Sequence, residues 1–210
     1  VVAIGPAAFN GNQLQDDEVF IYARKSNGSE NKTTIVSYGG AKKENVVIPE
    51  GVVGISNLAF FNTGLISVDF PSTLTTINAE AFRGNRLTSL TIPVSVTSLA
   101  SNAFNENQLP SNEAFIYKRN SDGSEDKTYL ISYGGAKREN VVIPEGVETI
   151  DNAFTWISDL KSVTFPSTLR RIINSAFKEC GLTSLNIPSS VTYIEPGVFN
   201  NNQLPDKDAF

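Results

Sequence analysis

Phenylalanine recurs along this chain at a fixed interval, and that interval limits the fold more than any single residue does. Ala-Phe or a near equivalent ends at Phe9, Phe60, Phe82, Phe104, Phe154, Phe177 and Phe199, and within a block the step is about 22 residues. Prolines keep the same beat at Pro49, Pro71 and Pro93, then again at Pro144, Pro166 and Pro188. With apolar residues at such offsets, each unit can bury its hydrophobic face only against its neighbours, so an elongated solenoid is expected rather than a globule.

A second period lies over the first. The step from Pro93 to Pro144 is 29 residues longer than the others, and the extra length holds one of two related inserts, FIYARKSNGSENKTTIVSYGGAKKENVVIP and FIYKRNSDGSEDKTYLISYGGAKRENVVIP. Phe9 then maps to Phe104, Tyr38 to Tyr133 and Pro93 to Pro188, all 95 residues apart. Residues 1–210 read as a single solenoid of 22-residue units inside a 95-residue super-repeat, with inserts at about 15–45 and 110–140. The last residues, NNNQLPDKDAF, repeat NENQLPSNEAF at the start of an insert, so the array is expected to be cut at both ends.

One unit shows how a coil is made. In LTSLTIP the apolar Leu90 and Ile92 alternate with Ser89 and Thr91, which predicts a strand with 90 and 92 inward and 89 and 91 outward. Pro93 cannot donate to a ladder and ends that strand. Val96 and Leu99 supply a second apolar wall, and Ser101-Asn102-Ala103-Phe104 is expected to make a short helical turn that drives its phenylalanine inward.

The units LTSLTIPVSVTSLASNAFNENQL, LTSLNIPSSVTYIEPGVFNNNQL, LISVDFPSTLTTINAEAFRGNRL and LKSVTFPSTLRRIINSAFKECGL resemble the BspA-like (Treponema pallidum-type) leucine-rich repeats of bacterial and protozoan surface proteins. The unit at Phe154, DNAFTWISDL, departs by one residue on either side of the ring, and Trp156 is expected to fill that corner. The resemblance implies a mainly β leucine-rich repeat solenoid with short helical turns and, here, two inserted β-hairpins. It also implies that Asn12, Asn85, Asn107 and Asn202 satisfy backbone groups in the turns. Cys180 falls in the same register.

The chemical candidates are few. The chain has no histidine, the commonest general base and metal ligand, and its one cysteine has nothing to activate it. The net charge of −5 includes no basic stripe, so nucleic acid is not expected as a partner. No stretch is apolar enough to span a membrane, and any export signal or anchor is expected outside this segment. The acidic groups Asp16, Asp17 and Glu18, and Asp122, Glu125 and Asp126, read as solvated turns. SNGSEN in the first insert lacks acids that NSDGSED has, which argues against calcium. No metal or cofactor is expected, and no carboxylate pair suggests glycan hydrolysis.

Two surfaces remain. One is the outward file Ser67, Asp69, Ser89, Thr91, Ser162, Thr164, Ser184 and Asn186, with Asn45, Val47, Asn140 and Val142 beside it. The other is the inserted hairpin, which turns at Asn27-Gly28 or Asp122-Gly123 and carries Tyr22 or Tyr117 among lysines and arginines. Its aromatics can cover the solenoid flank or meet a ligand. From the resemblance, the expected function is a non-enzymatic cell-surface or extracellular domain that binds a host or neighbouring-cell protein or glycan. The alternatives are a spacer without a ligand and, remotely, an enzyme acting on glycans. Uncovered end coils also allow end-to-end self-association.

Overall fold

The structure is a computed structural model that describes residues 3–15, 18–40, 44–136 and 138–205. Asp16 and Asp17, named above, lie outside the described residues. The chain winds as a β-solenoid whose coils contribute short strands to two faces. On the longer face of the first super-repeat, β2 (Glu30–Tyr38), β4 (Gly54–Ile55), β6 (Thr76–Ile77) and β7 (Ser98–Leu99) pair in parallel, which aligns Ile35, Ile55, Ile77 and Leu99 across the core. On the shorter face β3 (Asn45–Val47) pairs with β5 (Ser67–Asp69).

The second super-repeat copies this plan. Its longer face holds β9 (Glu125–Tyr133), β11 (Thr149–Asp151), β13 (Arg171–Ile173) and β14 (Tyr193–Ile194), which align Leu130, Ile150, Ile172 and Ile194. Its shorter face pairs β10 (Asn140–Val142) with β12 (Ser162–Thr164).

Two local expectations are corrected. No helix occurs among the described residues, and the Ala-Phe segments are tight turns. The cause is the backbone: left-handed residues such as Glu80 (φ 57°), Asn102 (φ 55°) and Glu179 (φ 56°) interrupt any helical run. Residues 88–92 and 183–187 are not strands. Thr88 N still donates to Ile66 O at 3.1 Å and Thr183 N to Lys161 O at 3.0 Å, but Leu90 N then turns to the Glu113 carboxylate at 3.0 Å. The shorter face is therefore broken at every third coil.

Each insert begins with a strand, β1 (Phe20–Arg24) or β8 (Phe115–Arg119), antiparallel to β2 or β9. The second strand also runs on into the solenoid as a rung, through Thr34↔Gly54 and Tyr129↔Thr149. A three-residue jump in register, from Tyr117↔Leu130 to Lys118↔Asp126, skews the hairpin tip away from its base. The tip closes through Asn120 N to Ser124 O at 2.9 Å, and Gly123 takes φ 81° and sits against the Val94 carbonyl of the preceding coil.

Aromatic rings run through the core as a column. Tyr38 stacks on Phe60 at 5.0 Å, Phe60 on Phe82 at 4.7 Å and Phe82 on Phe104 at 5.3 Å, with nearly parallel planes from Phe60 onward. Tyr133, Phe154, Phe177 and Phe199 repeat the series. Each insert thus supplies a tyrosine where an ordinary unit supplies phenylalanine. The ring folds over its own chain, and a side-chain carbon at Gly135 would lie 2.5 Å from the Tyr133 hydroxyl oxygen.

Candidate functional site

The turns that follow the core rings are held by side-chain amides. Asn85 donates to Phe60 O at 2.7 Å and Phe82 O at 2.9 Å, while its oxygen accepts from Leu65 N at 3.1 Å and from the Thr63 hydroxyl at 3.0 Å. Asn107 bridges Phe82 O and Phe104 O at 3.0 and 2.8 Å, and Asn202 bridges Phe177 O and Phe199 O at 2.7 and 2.8 Å. Among the described residues Asn12 reaches only Phe9 O, at 2.9 Å and in solvent. Cys180 is buried, places its thiol 3.1 Å from Phe154 O, and burial pushes its pKa up to about 12. Of the ring positions, Phe60, Phe82, Phe104, Phe154 and Phe177 are fully buried, whereas Phe9 and Phe199 are half-buried.

Trp156, expected to fill the irregular corner after Phe154, lies under the Arg83 guanidinium at 4.5 Å. Arg83 also donates to Glu80 at 2.9 Å and to Glu106 at 2.7 Å. This ties the first super-repeat to the second.

The outward file is brought together in part. Ser67, Asp69, Ser89 and Thr91 line a shallow cleft of about 290 Å³ whose floor is Val68 and Phe70 and whose end is Pro93. It opens because residues 89–91 leave the ladder. In the second super-repeat Ser162 and Thr164 lie on β12, and Ser184 and Asn186 lie on the exposed, non-strand segment of the next coil. Ser67 donates to Asn45, and Ser162 to Asn140, each at 2.7 Å. Val47 and Val142 stand exposed beside them.

Thr91 also borders a larger groove of about 480 Å³, formed by Leu90–Ile92, the turn Ser111–Glu113 and the inserted hairpin. Tyr117 lies in this groove with Phe115, Arg119, Glu125 and Lys127. Arg119 keeps only 7% of its side chain exposed, donates to Gly123 O at 2.9 Å and lies 3.8 Å from the Glu125 carboxylate. Burial lowers its pKa, opposed by Glu125. Burial, and secondly Glu125, raises the Tyr117 pKa, so its hydroxyl stays a neutral donor.

The corresponding cleft of the first super-repeat, about 330 Å³, is lined by Phe9 and Leu14, whose counterparts do not line the larger groove, and by Glu18, Phe20, Ile21, Tyr22, Glu30 and Lys32, whose counterparts do. The last six match Glu113, Phe115, Ile116, Tyr117, Glu125 and Lys127 by identity, each 95 residues later. Tyr22 has its pKa raised by burial and then by Glu30, as Tyr117 has by Glu125.

Sequence reasoning passed over Glu18 and Glu113 as groove residues, although their identity at the 95-residue offset was visible. It also passed over Asn10 and Asn105. Asn10 accepts from the Ser37 hydroxyl at 2.7 Å and Tyr38 N at 3.1 Å, and donates to Leu58 O and Phe61 O. Asn105 accepts from Ser132 and Tyr133 N at 2.6 and 3.0 Å, but its buried amide nitrogen finds no partner among the described residues. The shifted unit at Phe154 accounts for this, since it alters the turn that Asn10 caps in the first super-repeat.

Parallel coils, an inward ladder of rings and amides, and a solvent-facing groove define a leucine-rich repeat solenoid. The model of the BspA-type leucine-rich repeat region matches residues 36–119 and 131–207 in six copies, and the chain belongs to that family. A search of curated proteins gives no match. Among solved structures, a leucine-rich cell surface protein of Faecalibacterium prausnitzii is 26% identical, with a TM-score of 0.52 over 77% of this chain and 52% of that one. A leucine-rich repeat protein of Eubacterium ventriosum, also 26% identical, aligns with 98% of this chain and 56% of its own at a TM-score of 0.50. The pneumococcal vaccine antigen PcpA is 30% identical, with a TM-score of 0.51 over 70% of this chain and 40% of that one. The chain therefore spans about half the length of these proteins or less.

Proposed function

We propose that this chain is a non-catalytic adhesive segment of a cell-surface protein, which holds a partner protein in the groove between the inserted hairpin and the preceding coil. The observation that carries the reading is that six residues of the groove, on and beside the hairpin, recur by identity after 95 positions along a cleft of the first super-repeat. An aromatic ring with a polar tip, a buried arginine and a solvent-exposed lysine are the residue types that concentrate binding energy at protein contacts. Two related sites on one chain add through avidity without a deep pocket.

Support for the surface setting comes from the family and from the Faecalibacterium protein, which is described as a cell surface protein. Among the described residues no group of three or more His, Cys, Asp or Glu could hold a metal, and no helix is long and apolar enough to cross a membrane. The test is a binding screen of the segment against host-matrix proteins and glycans, with Tyr22→Ala/Tyr117→Ala as the paired variant. Saturable protein binding that weakens at least tenfold in the variant supports the reading. Absence of saturable binding to every probe leaves the spacer alternative in its place, and saturable glycan binding alone replaces the protein partner.

A further inference from the structure

The two super-repeats match closely in core and groove, yet they differ sharply on the outward side of the longer face. In the second, Tyr129, Thr149, Arg171 and Tyr193 face one another across β9, β11, β13 and β14 in strict register. The corresponding residues of the first are Thr34, Gly54, Thr76 and Ser98. The neighbours change with them: Lys118, Asp151 and Asn174 stand where the first super-repeat has Ala23, Ser56 and Ala79. Six small uncharged side chains, counting those at 34, 76 and 98, are thus replaced by two tyrosines, two cations, an acid and an amide.

The replacements form a connected network. Lys118 Nζ lies 4.8 Å from the centre of the Tyr129 ring, and Arg171 lies 5.2 Å from that of Tyr193. The Tyr129 hydroxyl donates to Asp151 at 3.0 Å, and the Asn174 amide donates to the other Asp151 oxygen at 2.9 Å. Asp126, close by, accepts from Thr128 N and from the Thr128 hydroxyl. Both carboxylates thus accept from neutral donors and keep their charge. Lys118 and Arg171 are exposed and make no ion pair among the described residues. Tyr193 is 47% exposed.

We infer that this face of the second super-repeat is a second, separate docking surface, which takes an acidic extended segment of a partner protein. Four adjacent strands give the file a length of about 14 Å, enough for four or five extended residues. The surface is a flat sheet face, whereas small ligands are held in concave sites, so a macromolecular partner fits it. Tyrosine and arginine are the residues most enriched at protein hot spots, and the cations left unpaired select carboxylates over lysines. The inference does not rest on the groove, which is lined by Tyr117 and Arg119 on either side of Lys118 and whose hairpin wall recurs in both super-repeats.

The test compares fluorescein-labelled deca-glutamate and deca-lysine peptides by fluorescence anisotropy at low salt, on the intact segment. The key variant restores the first super-repeat's residues, Lys118→Ala/Arg171→Thr/Tyr193→Ser, which the same fold already carries at those register positions. Arg171→Gln alone provides a milder charge removal should the triple variant fold poorly. Deca-glutamate is expected to bind, deca-lysine not to bind, and the variants to weaken binding at least tenfold and about threefold respectively. Equal affinity of parent and variants for deca-glutamate overturns the proposal. So does a heparin fragment that depends on the same residues while the peptide is not bound, since that result assigns the face to an anionic glycan. The groove variant Tyr22→Ala/Tyr117→Ala leaves deca-glutamate binding unchanged if the two surfaces are separate.

Discussion

Replacing Phe82 by alanine tests the ring column at its best-packed point. Phe82 is fully buried and lies between Phe60 at 4.7 Å with planes 9° apart and Phe104 at 5.3 Å with planes 4° apart. Phe70 meets it edge-on at 5.5 Å. Truncating a core phenylalanine costs about 3–5 kcal/mol, and each lost aromatic pair adds about 0.5–1.5 kcal/mol beyond area, so the upper end of the range, about 5 kcal/mol, is expected. Phe199 is half-buried with one stacking partner, Phe177 at 5.4 Å, and Phe199→Ala should cost about 1–2 kcal/mol. Urea unfolding followed by circular dichroism and by the fluorescence of Trp156 reads both. At a slope of about 2.5 kcal/mol per molar urea, the Phe82 midpoint falls by about 2 M and the Phe199 midpoint by about 0.4–0.8 M. If the two variants shift alike, the column is not what holds the coils together.

Asn85→Ala strands two carbonyls and the Leu65 N–H in the core, and a loss of about 3 kcal/mol is expected in the same urea assay, against less than about 0.5 kcal/mol for the exposed Asn12→Ala. Gly123→Ala combines a positive φ with overlap of the Val94 carbonyl, whereas Gly146→Ala has φ 97° and open space, so the first should destabilise by about 2 kcal/mol more and deprotect the hairpin amides in hydrogen exchange. The Cys180 thiol is raised by burial from 9.0 to about 12, so the folded state holds the proton more tightly. Its contribution to stability is then complete below pH 9 and is lost as pH rises towards 12, and bulky maleimide labelling at pH 8 should be slow until urea unfolds the chain. Rapid labelling of the folded protein would show that the thiol is not in the core.

The periods of 22 and 95 residues were legible because each coil repeats one burial problem, and the residues that solve it recur at the same offsets. Phe82, Asn85 and the offset of Tyr117 from Tyr22 could be read in this way. The failure of residues 88–92 and 183–187 to join the sheet could not, because both carry the same alternation as the strands that form; in the first, Leu90 N donates instead to the carboxylate of Glu113, 23 residues away. The same holds for the helical turn expected at Ser101–Phe104, where alternation and composition do not report that Asn102 is left-handed.

The groove shows the same division. Its parts were visible as two separate features, an outward file and an aromatic hairpin, but their meeting at Thr91 and Tyr117 depends on the register jump that skews the hairpin tip towards Val94. By itself, the sequence determined the solenoid, its two periods and the inward identity of each ring and amide, since these follow from spacing along one chain. Only the tertiary structure decided which outward residues share a surface, because parallel pairing sets side by side residues that lie some 20 positions apart, as with Tyr129, Thr149, Arg171 and Tyr193.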